Sequence, residues 1–190
     1  MKWATRSVIH LDRVVSAWLI LRFVDREAEF IFLQEGETHN DAVLFGIPGA
    51  PLSPHDNSGT TFQRILNAYS VNDPALTLLG EIVAEVVAHV MRDRERSGTT
   101  EREQHVGGIL AIAEGIMLLS STDAECLNLS LPLYDALYTR LHAQIVLDAL
   151  LPSPPATVLE QTMLFAKGTR VLRQSNCVFS SDTFTKAVCS

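Results

Sequence analysis

Trp3-Ala-Thr-Arg-Ser-Val-Ile-His-Leu-Asp-Arg-Val-Val-Ser-Ala-Trp-Leu-Ile-Leu-Arg-Phe23 decides the architecture, because two periodicities meet inside it. Trp3 to Ile9 mixes β-branched and polar residues, as a short strand does. From Asp12 the period changes. Val14, Val15, Trp18, Leu19, Arg22 and Phe23 recur at helical spacing, and the helix runs out near Asp25. Asp12 stands at the junction, where a short acceptor side chain can cap the helix that follows. A strand feeding a helix this early predicts a sheet with a helical cover.

Outward from that segment, Glu29 to Leu33 (Glu-Phe-Ile-Phe-Leu) is the clearest strand, and Ala42 to Ile47 is a second. Pro48, Gly49, Pro51 and Pro54 then impose a loop to about Gly59. Phe62, Ile65, Leu66 and Tyr69 mark a short helix. Asp73-Pro74 signals the start of a longer one, whose stripe is Leu76, Leu79, Val83, Val86, Val87 and Val90. Residues 92–102 are polar and read as a loop. Val106 to Leu119 is the most apolar stretch and predicts a central helix packed on several sides. Asp123 caps another helix, and a further one begins at Pro132 or Tyr134, with Leu133, Leu137, Leu141 and Ile145 inward. Pro152-Ser-Pro-Pro155 is the sharpest boundary, and a last helix covers Val158 to Ala166. The expected fold is α+β and mostly helical, with a small early sheet of two or three short strands covered by helices. The expected organisation is one domain over 1–151, a linker and docking helix over 152–167, and a tail over 168–190, strand-like or disordered.

Composition narrows the function classes. Of 190 residues 47% are hydrophobic and 19% charged, so the chain folds rather than staying disordered. The net charge of −7 argues against a general nucleic-acid binder, which needs a surplus of Lys and Arg to neutralise phosphates. No run of apolar residues is long enough to predict a membrane span, and His10, Asp12 and Arg13 interrupt the one candidate secretory signal. The expectation is a soluble cytoplasmic protein. Cys126, Cys177 and Cys189 are odd in number and widely spaced, so neither a disulfide framework nor a cysteine zinc cage is expected.

Chemistry is suggested at four places. Arg6, His10 and Arg13 cluster around a helix N-terminus, which suits a small oxyanion. The alternative is an ordinary charged cap with Arg13 paired to Asp12 or Glu27. His55 and Asp56 sit in the Pro/Gly-punctuated loop and can serve one cation, or the turn can satisfy itself. Glu81, Glu85 and His89 share one helix face, opposite the apolar stripe, so the glutamates read as solvated. His89 borders that face, and His105 can meet it if the polar loop folds back. These four, His55, Asp56, His89 and His105, form the expected site for a divalent metal ion. Glu114 lies inside an apolar run and is expected as a buried acid, either salt-bridged to Arg13, Arg22 or Arg140 or functional. No phosphate loop, nucleophile elbow or H-E-x-x-H motif is present.

Several segments carry a family resemblance in order: Trp3-Ala-Thr-Arg6, Asp12-Arg13 with Ala17-Trp18-Leu19-Ile20, Ile47-Pro48-Gly49, Thr61-Phe62, Asp73-Pro74-Ala75-Leu76 and Tyr134-Asp135-Ala136-Leu137-Tyr138. From Trp3 to about Leu141 the chain resembles the chromate-resistance protein family, specifically the C-terminal domain of chromate-resistance protein B. It departs from the family pattern at Thr61, often Cys, and at Gln104-His105, usually Pro-Glu. It departs again at Arg92-Asp93-Arg94-Glu95, usually Asp-rich. The resemblance implies a role in chromate resistance or metal stress and implies no reaction. The chain starts directly with this domain, so a direct transcriptional role is not expected. Three functions follow. The first is an accessory or sensor domain binding an oxyanion or metal ion. The second is a metal-dependent enzyme with Glu114 or Asp56 as general base. The third is an interaction protein whose tail makes homodimer contacts.

Overall fold

Three parallel strands in the order β2-β1-β3 form the sheet. The computed structural model describes residues 1–53, 59–91, 101–151, 153, 155–174 and 179–189, with the side chains of 101–105 and 187–189 outside the description. β1 (Lys2–Arg6) is central and buries Trp3, Ala4 and Thr5. It pairs with β2 (Glu29–Leu33) from Lys2↔Glu29 to Arg6↔Leu33, and with β3 (Val43–Leu44) at Trp3↔Val43 and Ala4↔Leu44. Parallel neighbours require a crossover. Between β1 and β2 it is α1 (Asp12–Leu19), which widens into a π-helical turn over Ile20–Val24. Every residue of α1 except Arg13 is buried.

The first of two compact units spans Met1–Tyr134. It continues through α2 (Thr61–Ala68), α3 (Pro74–Met91) and α4 (Glu101–Leu119) into α5 (Asp123–Leu150). Trp18 packs on Phe23 and Tyr134 with ring centroids 5.5 and 6.1 Å away, and Trp3 packs on Phe45 and Tyr69 at 6.3 and 5.6 Å. Asp73 caps α3 as its sequence predicts, accepting from the amides of Ala75 and Leu76 at 2.7 and 3.1 Å. α3 has the length and hydropathy of a membrane span, yet Leu76, Leu79, Val83, Val86 and Val87 are buried.

Three helical readings change. Asp12 is not the cap of α1: Leu11 is, with φ +45°, and Asp12 turns inward to another helix. α4 is not packed on several sides. It buries Val106, Leu110 and Ala113, spaced four and three residues apart, with Val106 and Leu110 against Val86 of α3. Ile112, Leu118 and Leu119 are exposed. The two helices expected around Pro132 are one 28-residue helix, α5, with Pro132 inside it. A proline removes one helical hydrogen bond but does not forbid continuation where packing holds both halves.

The second unit spans Asp135–Ser190. Here α6 (Val158–Gln174) starts where a helix is expected but runs on past Ala166, and α7 (Ser181–Cys189) is helical where a strand-like or disordered tail is expected. The core joins Ala143, Leu147 and Phe184, with Leu164, Phe165 and Phe179 packed around them. Gly168 is buried against the Phe184 ring, where no Cβ would fit. α7 therefore docks through one aromatic residue that a linear hydrophobic pattern cannot reveal.

Candidate functional site

The site is built where β1 and β3 end. In the order β2-β1-β3 the chain leaves β1 toward one neighbour, and β3 takes the opposite side, so a crevice opens beyond the carboxyl ends of these two strands. Open parallel sheets bind ligands at such switch points. A cavity of about 350 Å³ lies there. Arg6 from the end of β1, His10 and Arg13 from the start of α1, and Gly46 and Pro48 from beyond β3 line it. Val87, Val90 and Met91 at the end of α3 supply an apolar wall.

Arg13 organises the loop from which it rises. Its Nη1 donates to the carbonyls of Arg6 and Ser7 at 3.0 and 3.3 Å, and its Nη2 donates to that of Val8 at 3.3 Å. The same Nη2 lies 3.5 Å from His10 Nδ1, which is 3.3 Å from the Val8 carbonyl. Nδ1 can accept from Arg13 or donate to Val8, not both, so the imidazole tautomer is tied to the arginine. Arg6 Nη1 donates to the carbonyls of Gln34 and Glu37, each at 2.7 Å. Burial lowers the Arg13 pKa, and the charges of Asp123 and Asp12 oppose the shift. No described carboxylate stands within ion-pair distance of either guanidinium, so the expected alternative pairing of Arg13 with Asp12 or Glu27 is absent.

The loop is strained and held from several directions. Val8 and Leu11 have φ of +55° and +45°, a region costly for side chains, above all a β-branched one. The Ile9 amide donates to Asp123 Oδ1 at 2.7 Å, and the Cys126 thiol lies 3.6 Å from the Ile9 carbonyl. Cys126 is buried, and burial pushes its thiol pKa up, which suits a structural thiol. Asp12 lines the cavity, but its carboxylate accepts from the amides of Thr61 and Phe62 at 3.0 and 3.2 Å, capping α2. Its negative charge is thereby drawn toward a helix N-terminus. Gly46, at φ +61°, is required: a Cβ there would stand 2.8 Å from Arg13 Cγ.

The structure thus brings Arg6, His10 and Arg13 to one cavity. Of the expected cation ligands, only His89 has a described side chain. His55 and Asp56 lie outside the described residues, as does the side chain of His105 on α4. His89 is half-buried on α3, and among the described residues no three His, Cys, Asp or Glu side chains group closely enough to hold a metal. Glu114 is half-buried rather than buried, because α4 hides only one stripe. Sequence reading missed Gly46, Pro48 and the end of α3 as parts of the site. The glycine before Ile47-Pro48 was the available signal, and the α3 wall had none.

Fold and site together define a small α+β domain with a cationic cavity at the switch point of a parallel sheet. The family model described as "ChrB, C-terminal domain" matches residues 3–141, and the chain belongs to that family, which bears out its likeness to chromate-resistance proteins. Protein ChrB of Cupriavidus metallidurans is 31% identical over 140 residues, which is 73% of this chain and 40% of the relative. The chain therefore matches well under half the length of that curated relative. No solved structure matches it.

Proposed function

We propose that this chain is a cytoplasmic accessory or sensor domain of chromate resistance, and that the Arg6/His10/Arg13 cavity binds a small oxyanion. The observation that carries the reading is the convergence of two guanidiniums and an imidazole on one switch-point cavity in a protein of net charge −7. Membership of the ChrB C-terminal-domain family supports the association with chromate. A half-buried guanidinium is poorly hydrated and gains from an anion more than an exposed one would. Calorimetric titration with chromate and sulfate tests the proposal. Wild type gives saturable heats, and Arg6→Ala and His10→Ala each weaken binding about tenfold, the loss of one charge-assisted hydrogen bond. Equal, weak heats for wild type and both variants overturn it. The same proposal includes a divalent cation held by His55, Asp56, His89 and His105. Metal content that is nil in wild type, or unchanged in His89→Ala, removes that half.

A further inference from the structure

The outward face of α6 carries a second pattern, which the oxyanion reading leaves untouched. Leu159, Met163, Ala166, Arg170 and Arg173 recur at intervals of four, three, four and three residues, the spacing of a coiled-coil seam. All five are exposed, Leu159 at 69% and Met163 at 63%, whereas the opposite face buries Gly168 and Leu172. Lys167, Arg170 and Arg173 have no carboxylate within ion-pair distance among the described residues. Beside this seam runs an open groove of about 550 Å³, lined by Glu160, Met163, Ala166, Lys167 and Arg170, with Leu151 among its other walls.

We propose that α6 pairs with α6 of a second copy of this chain, in antiparallel orientation. A two-fold interface must be self-complementary, and this face is. Set antiparallel, Met163 of one copy meets Ala166 of the other, and the small residue makes room for the long one. Leu159 meets the aliphatic stem of Arg170, whose charged end reaches water. Glu160 and Lys167 flank the seam on one side, so each copy's glutamate faces the other copy's lysine, twice per dimer. A parallel pair stacks Arg170 on Arg170 and Arg173 on Arg173, and repels. The Glu160 carboxylate already accepts from the Ala156 and Thr157 amides at 2.8 and 3.2 Å, which fixes it at the start of the helix. The occupant is therefore another copy rather than an unrelated acidic partner, because both signs of charge are present in the right order on the one helix.

Light scattering of the full chain after size-exclusion chromatography tests the pairing. The expected mass is twice 20.9 kDa. Met163→Glu, at an exposed position that leaves folding intact, raises the dissociation constant about tenfold or more by placing two carboxylates at the seam. Lys167→Glu and Glu160→Lys each weaken self-association, while an equimolar mixture of these two variants forms a heterodimer in which both flanking pairs are restored. A wild-type monomer at every concentration overturns the proposal, and so does a dimer indifferent to Met163→Glu. A mixture with no preference for the heterodimer overturns the antiparallel register.

Discussion

At the scale of the residue, Asp12 and Asp123 teach the same lesson. Each stands at a helix start, and each spends its carboxylate elsewhere: Asp12 on the amides of Thr61 and Phe62, Asp123 on that of Ile9. The start of α5 is capped instead by Thr122, which accepts from the Glu125 amide at 3.1 Å, with Glu125 reaching back to the Ser121 amide. Asp12 is 5% exposed, so its removal strands two buried donors. Asp12→Ala is expected to destabilise the fold by about 3 kcal/mol, read as a lower urea midpoint at unchanged slope. Asp12→Asn, which keeps an acceptor, should recover part of that loss. The sequence marks both aspartates as helix-start residues. It cannot say which amides they serve, because those amides lie 49 to 114 positions away.

At the scale of the element, the β1–α1 connection carries the residues of the proposed oxyanion site. Five residues, 7–11, join a buried strand to a buried helix with two backbone positions in the left-handed region. Arg13 holds them by donating to three consecutive carbonyls, and Gly46 leaves room for its methylenes. Gly46→Ala combines an unfavourable φ with a steric clash, so it should push Arg13 away and release the loop. The expected result is weaker oxyanion binding together with faster amide exchange at Ile9, measured by hydrogen exchange. Unchanged exchange at Ile9 would mean that the loop does not depend on the arginine. The strands and α3 were legible, since alternation and an Asp-Pro start are local signals. The fusion across Pro132 and the one-sided packing of α4 were not, since neighbours set them.

At the scale of the whole molecule, the family match and the compact units nearly coincide: the match ends at 141 and the first unit at Tyr134. The second unit has its own core around Leu147 and Phe184. Phe184→Ala empties the contact with Gly168 and should cost that unit about 3 kcal/mol. Oxyanion affinity should stay as in wild type, because every residue lining the cavity belongs to the first unit. Calorimetry beside exchange protection in α7 checks both halves of that statement. By itself the sequence determined the α+β class, the family and the cluster of Arg6, His10 and Arg13, because periodicity and short motifs are written in neighbouring residues. Only the tertiary structure decided that those side chains share a cavity with Gly46 and the end of α3, and where the two aspartates bond. Such contacts join residues far apart in the chain, and burial and strand order settle them.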